Sequence, residues 1–422
     1  MKIRTKEKSY AEVLALPREK HLNPMRQVAA IRLLLKTVSL FDLKAVGFSY
    51  EKLGMDKLGE KEPCLVLMNH SSFIDLKIAA DLLADREYHI VCTNDGFIGK
   101  KLLMRLLGCI PAKKFINDIT LIKDMRYAVQ KLHASILMYP EASYSFDGTQ
   151  TPLPDSLGKC IKLLKVPVIM IRTHGAFLRD PLYNGLQLRK TKVSAKMQYL
   201  MSPEEIAVKT PDEINELLQN TFTFDYFKEQ QEQQISVKEP FRADGLQRAL
   251  YRCPHCRTEG KMEGKGTKLT CHACGISYEL SETGYLKADR GETLFTHVPD
   301  WYRWERECVR KELEDGSYRL DIAVDIYMLI DTKCVYKVGE GRLRHTLDGF
   351  ELTGCNGELR YHQPPQVSYS LYSDFYWYEI GDMISIGDAQ VQYYCFPKNG
   401  ENIVAKTRLA TEELYKMKKS KR

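Results

Sequence analysis

Over its first two hundred positions the chain alternates between short, unbroken apolar runs and longer stretches in which apolar residues return every three or four positions. Residues 64–68 read Cys-Leu-Val-Leu-Met, the pattern of a strand buried on both faces. Residues 75–85 follow with Leu76, Ala79, Ala80 and Leu83 on one helical face. The alternation then repeats: a strand over 88–92, a basic amphipathic helix over 99–107, a helix over 118–133 running into a strand over 135–139, and a helix over 156–164 followed by a strand over 166–172. Strands separated by helices of this length predict an α/β domain with a mostly parallel sheet and flanking helices.

The pattern shifts after about residue 228. Residues 228–234 read KEQQEQQ, a polar linker or an exposed helix end. A compact cysteine module spans about 248–287. Beyond 294 a helix is expected over 301–313, then short strands rich in Tyr, Val and Ile. Turn signals stand at 339–341, 348–349 and 356–357, and a closing helix is expected over 405–419. This organisation predicts three regions: 1–235, 248–287 and a β-rich 294–422. The last, strands followed by one helix, weakly resembles a PH-like domain. No internal repeat is evident. No run of 18 apolar residues occurs, so no transmembrane helix is expected. The nearest candidate, 28–48, is interrupted by Arg32, Lys36, Asp42 and Lys44. Its apolar positions 31–35, Val38, Leu40 and Phe41 suit either a membrane-interface helix or a core-facing one.

Composition narrows the class. With 44% hydrophobic and 28% charged residues the chain can bury a sizeable core. A net charge of +7 over 422 residues is too mild to argue for nucleic acid, which is not an expected partner, and is compatible with an anionic membrane surface. Lys416, Lys418, Lys419, Lys421 and Arg422 add to that charge at the end of the chain. The charged start, Met1 to Lys8, does not read as a secretory signal. Of the 12 cysteines four form two close pairs and eight are scattered, which reads as a reducing, cytoplasmic setting with a metal site.

The chemistry-bearing pattern is Asn69-His70-Ser71-Ser72-Phe73-Ile74-Asp75, where a strand runs out and a helix begins. On one helix, five positions would put His70 and Asp75 about 140° apart. They meet only if His70 precedes the helix, on the turn, with Ser71 or Ser72 as N-cap. His70 would then lie at the carboxyl end of a strand, where open α/β sheets carry their sites. Asp75 would hold the imidazole in one tautomer, and the free nitrogen would take the proton from an acceptor hydroxyl.

These residues resemble the first motif of the glycerolipid acyltransferases, the 1-acylglycerol-3-phosphate acyltransferase family, N-H-x-x-x-x-D. A second family block, G-x-I-x-x-D-R, is met in part by Gly108-Cys109-Ile110-Pro111-Ala112-Lys113-Lys114. The third, F-P-E-G-T-R-S, corresponds to Tyr139-Pro140-Glu141-Ala142-Ser143-Tyr144-Ser145, and a V-P-V strand to Val166-Pro167-Val168. Order and spacing agree over about 60–175. The resemblance implies His70 as general base oriented by Asp75, and direct attack of a lysophospholipid-like hydroxyl on an acyl thioester of CoA or acyl carrier protein. It also implies Asn69, Lys113, Lys114, Glu141, Ser143, Tyr144 and Arg172 as substrate-binding candidates. Tyr144 stands where the family has a phosphate-binding Arg and cannot pair with phosphate as Arg does. That leaves Lys113, Lys114 or Arg172 to supply the charge. Ala142 replaces a Gly, which predicts a loop less free to take positive φ. His174 reads as structural.

Cys253-Pro-His-Cys256 and Cys271-His-Ala-Cys274 are two CxxC knuckles, which together can close a four-thiolate site on a structural zinc. The module resembles a rubredoxin-like zinc ribbon, with His255 and His272 pointing outward. The sequence therefore predicts an acyltransferase peripheral on the cytoplasmic face of a membrane. Its alternative is a retired acyltransferase scaffold that binds membrane or protein.

Overall fold

The computed structural model describes residues 2–116, 118–398 and 402–419. A short first strand, β1 (Thr5–Glu7), precedes seven strands that form one sheet: β2 (Ser49–Leu53), β3 (Leu65–Met68), β4 (Tyr88–Thr93), β5 (Cys109–Ala112), β6 (Ser135–Met138), β7 (Val168–His174) and β8 (Ser194–Met201). Their order is β2-β8-β7-β3-β6-β4-β5, and every neighbouring pair is parallel except β7 with β8. Helices Ile74–Leu82, Ile119–Gln130 and Leu157–Leu164 lie between strands where the periodicity puts them. Strand alternation divides β3 between two cores. Val66 and Met68 pack with Ile78 and Leu43, while Leu65 and Leu67 pack with Met125 and Ile161.

The cysteine module is a small antiparallel sheet of β9 (Met262–Lys265), β10 (Lys268–Cys271), β11 (Ser277–Leu280) and β12 (Leu286–Ala288). After the helix Val298–Glu314 come β13 (Leu320–Leu329), β14 (Val335–Thr346), β15 (Gly349–Gly354), β16 (Leu359–Gln363), β17 (Tyr372–Trp377), β18 (Gly381–Gly387) and β19 (Gln392–Pro397), and then the closing helix Val404–Lys419. The order is β16-β15-β14-β13-β19-β18-β17, antiparallel throughout.

Two expectations are corrected, and one pair of alternatives is decided. Gly339–Gly341 is not a turn but lies paired inside β14, next to a bulge at Val338. The register with β13 slips between Ile326 and Tyr327, and a Cβ on Gly341 would stand 2.1 Å from the Thr353 carbonyl oxygen. Of the two readings of the polar run at 228–234, the exposed helix end holds and the linker does not: the run falls largely in the helix Tyr226–Glu232 and its last residues, Glu232, Gln233 and Gln234, are exposed, while Gln230 is buried. Ser71 and Ser72 are not the N-cap, because Phe73 occupies that position without a side-chain bond.

β1 pairs in parallel with the start of β14, Thr5 opposite Val335, so the first residues of the chain join the last sheet. One hydrophobic core runs from Val13 through Phe177 and Tyr226 to Cys253, Trp301 and Leu409. The cysteine module is wedged into that core: Trp301 meets Tyr278 edge-on at 4.9 Å and donates from Nε1 to the Arg252 carbonyl. Lys406 on the closing helix bridges Glu259 at 2.8 Å and Glu312 at 2.7 Å. Lys416 pairs with Glu413 and Lys419 with Asp155, whereas Lys421 and Arg422 lie outside the described residues. No helix among the described residues is long and apolar enough to cross a membrane.

Candidate active site

His70 sits two residues beyond β3, before its following helix begins at Ile74. Asp75 is fully buried in the first turn of that helix. Its Oδ2 accepts from the backbone N–H of Ser71 (2.7 Å) and Ser72 (3.0 Å) and lies 3.2 Å from His70 Nδ1. The carboxylate thus closes the turn and fixes the ring together. With Nδ1 facing Asp75, Nε2 is left as the basic nitrogen.

Glu141 follows β6, the parallel neighbour of β3. It too is fully buried. One oxygen accepts from the His70 backbone N–H at 2.9 Å and the other from the Thr151 N–H at 2.9 Å. Burial pushes its carboxyl up to about 7. Glu141 therefore holds the His70 backbone from below.

The His70 ring lies between two tyrosines. Tyr139 is 4.3 Å and Tyr144 4.2 Å away by ring centroids, each tilted by about a third of a right angle (32° and 33°). Ala142, between them, has φ +55°. The replacement of Gly therefore does not deny the loop a positive φ: the loop adopts it with an Ala, at a cost of about 1 kcal/mol.

The remaining candidates separate. Asn69 is buried, its amide donating to Thr173 Oγ1 (3.1 Å) and the Tyr226 hydroxyl (2.5 Å) while its oxygen accepts from the Thr173 N–H. Ser71 Oγ donates to the same Tyr226 hydroxyl at 3.1 Å. Asn69 thus ties the turn that carries His70 to β7 and to the distant helix Tyr226–Glu232. Ser143 is buried, donating to the Tyr144 carbonyl. Lys113 donates to the Ala389 carbonyl, and Lys114 lies over the Tyr372 ring at 4.2 Å. Burial lowers the Lys114 ammonium, against the opposing pull of Asp95 and Asp374. Arg172 is half-buried on β7, with Nε bonded to nothing. His174 pairs with Glu229 at 3.0 Å.

Several residues at the site carry no local sequence signal. Asp180 accepts from Ser72 Oγ and pairs with Arg179 at 3.1 Å, and burial pushes its carboxyl up to about 6. The C-terminal sheet clasps the loop after β6. Phe375 meets Phe146 at 4.5 Å, and Ala142 packs against the apolar cluster that includes Tyr372 and Trp377. Asp95 Oδ2 accepts from the Tyr372 hydroxyl (2.5 Å) and from Trp377 Nε1 (3.2 Å).

In the cysteine module the four Sγ atoms of Cys253, Cys256, Cys271 and Cys274 all lie within 4.8 Å of one another. The pairs Cys253–Cys274 and Cys256–Cys271 stand 3.7 Å apart. That is far longer than a disulfide and matches the edge of a tetrahedron with metal–sulfur distances of about 2.3 Å. The four thiols fit a metal ion with no position left open. His255 and His272 are exposed and bond to the Glu292 carbonyl and to Glu263.

Exposed apolar side chains gather on one part of the surface: Leu33, Leu34, Val38 and Phe41 on the helix Ala29–Ala45, and Phe73 and Leu76 at the start of the helix it packs against.

Residues 50–173 match the family model described as Acyltransferase. Among solved structures, one similar chain is the 1-acyl-sn-glycerophosphate (LPA) acyltransferase PlsC of Thermotoga maritima. It is 15% identical, with a TM-score of 0.37, over 46% of this chain and 77% of that one. Comparison with curated proteins finds no match.

Proposed function

We propose that this protein is an O-acyltransferase that moves a fatty acyl group from a thioester, acyl-CoA or acyl carrier protein, to the hydroxyl of a lysophospholipid-like acceptor. The observation that carries the reading is the His70–Asp75 pair, joined at 3.2 Å at the end of a central parallel strand inside the segment that matches the acyltransferase model. His70 Nε2 takes the proton of the acceptor hydroxyl as that oxygen attacks the thioester carbonyl. The carbon–sulfur bond then breaks, and the thiolate leaves with the proton returned by the imidazolium. Asp75 stabilises the charged ring. Tyr139 and Tyr144 keep the ring from turning, and Glu141 holds its backbone.

The exposed apolar side chains on the helix Ala29–Ala45, and at Phe73 and Leu76 at the start of the helix it packs against, support action at a membrane surface with the helix Ala29–Ala45 in the interface, and the scattered free cysteines suit its cytoplasmic face. Zinc is the metal best suited to four thiolates, as a structural staple. The uninterrupted antiparallel order of β13 to β19 and the closing helix support the PH-like reading of the C-terminal region.

The test is thiol release from acyl-CoA and acyl carrier protein by the full chain, against a panel of lysolipids. Acceptor-dependent release is expected. A uniformly blank panel with liposome binding retained would instead favour the scaffold.

A further inference from the structure

A cavity of about 170 Å³ lies where three distant stretches of the chain meet. The loop after β6 lines it with Gln150 and Thr151, the helix Val298–Glu314 with Arg303 and Arg306, and the closing helix with Arg408 and Glu412. Neither His70 nor Asp75 borders it. Arg303 and Arg306 reach solvent, whereas Arg408 is 3% exposed.

The charges around this cavity do not balance. Glu412 pairs with Arg306 at 2.7 Å and with Arg408 Nε at 3.2 Å. Glu413, beside it, pairs with Arg306 at 3.0 Å, Arg310 at 3.1 Å and Lys416 at 2.7 Å. Four cations thus share two carboxylates, an excess of two positive charges. Arg303 is matched separately by Asp300 at 2.8 Å. Asp147, the other acidic side chain of the lining, spends its carboxylate on its own loop: Oδ1 accepts from the Thr149 N–H at 3.1 Å, and both oxygens lie 2.9 Å from Thr149 Oγ1. Burial also pushes that carboxyl up, toward its neutral form. Arg408 Nη1, a donor, and Gln150 Oε1, an acceptor, are buried without a hydrogen-bond partner among the described residues. A charged donor left unpaired in a buried setting is costly, and an oxyanion removes that cost. Guanidinium groups suit phosphate above other anions of this size, because their N–H bonds run parallel to its oxygens.

We propose that this cavity binds a phosphate group, held by Arg306 and Arg408, with Gln150 accepting from a phosphate hydroxyl. The volume is well below the roughly 300 Å³ at which pockets begin to enclose a drug-sized ligand, so the phosphate enters alone and any body attached to it stays outside. Its source is free inorganic phosphate or the phosphomonoester headgroup of a phosphatidate. The bound group ties the closing helix to the loop after β6, whose Thr151 donates to Glu141 at 2.9 Å. The proposal does not depend on the acyl-transfer reading.

The experiment is isothermal titration of the full chain at low ionic strength with inorganic phosphate, with a short-chain phosphatidate below its micelle concentration, and with chloride as control. One phosphate group per chain is expected, with a much weaker response to chloride. Gln150→Glu keeps the side-chain shape and places a negative charge in the cavity, while Arg408→Gln removes a cation from it. Each is expected to weaken binding by at least about tenfold. Phosphate should also raise the melting temperature of the wild-type chain and leave that of Gln150→Glu unmoved. Arg408→Gln takes a partner from the buried Glu412, so Gln150→Glu decides the matter where the arginine variant does not fold. Tighter or equal binding of inorganic phosphate assigns the free ion, and tighter binding of phosphatidate assigns the lipid headgroup; either supports the site. No binding of either ligand, an equal response to chloride, or binding that Gln150→Glu leaves unchanged overturns it.

Discussion

Replacing Asp75 by Asn separates two jobs that one carboxylate oxygen performs. Asp75 Oδ2 accepts from the Ser71 and Ser72 N–H groups and faces His70 Nδ1, while its Oδ1 is buried with no partner. An Asn can keep its oxygen in the Oδ2 position and put its amide where Oδ1 was, so the two backbone bonds survive. The negative charge opposite the imidazolium is lost. For unit charges about 4 Å apart at an effective dielectric constant near 20, that charge is worth about 4 kcal/mol. The rate should therefore fall about a thousandfold. Asp75→Ala removes the acceptor as well and strands two buried N–H groups, at about 1–3 kcal/mol each. Single-turnover acyl transfer and urea unfolding, measured on both variants, distinguish these effects. The Asn variant should lose rate with little loss of stability, and the Ala variant should lose both. An Asn variant within tenfold of the wild-type rate would refute the charge role of Asp75.

Other expectations follow from the same geometry. Glu141 keeps its proton to about pH 7 when folded but releases it near 4.5 when unfolded, so its share of stability is largest in acid and is lost as pH rises from about 4.5 to 7. That share amounts to about 3 kcal/mol. Urea midpoints at pH 5 and pH 8 should therefore draw together in Glu141→Gln. Ala142→Gly relieves a left-handed Ala and should raise the urea midpoint, by up to about 1 kcal/mol of stability after the added freedom of the unfolded chain. Cys271→Ser, or a strong chelator, should release one zinc per chain by atomic absorption and lower the melting temperature, because the module is continuous with the central core. Phe41→Glu with Phe73→Glu should weaken partition onto anionic vesicles by at least about tenfold in sedimentation, given the apolar area each ring exposes.

The parts legible in the sequence are those specified by short stretches of chain. The parallel strands announce themselves as unbroken apolar runs, because a strand buried on both faces has no polar side. The five-residue gap between His70 and Asp75 carries its own geometric demand, and a helix that begins at Ile74 meets it. The two CxxC knuckles converge as expected because each is a local turn. What was not legible depends on residues far apart in the chain. Tyr226 reaches Asn69 and Ser71 from more than 150 positions away, and nothing near Tyr226 marks it. Lys114 looked available for substrate until Tyr372, from the C-terminal sheet, proved to lie beneath it. Gly339–Gly341 has the composition of a turn because a strand beside a bulge draws on glycine for the same backbone freedom: Gly339, next to the bulged Val338, has φ +145°. β1 was unpredictable on its own terms: three exposed residues become a strand only because the start of β14 offers a free edge.

The central claim is that His70 moves the proton in an acyl transfer. The most direct measurement is acceptor-dependent thiol release by His70→Ala, with melting temperature and zinc content measured on the same preparation. Release should fall to background while folding and zinc are unchanged. Transfer at the wild-type rate by a folded, zinc-loaded His70→Ala protein would contradict it.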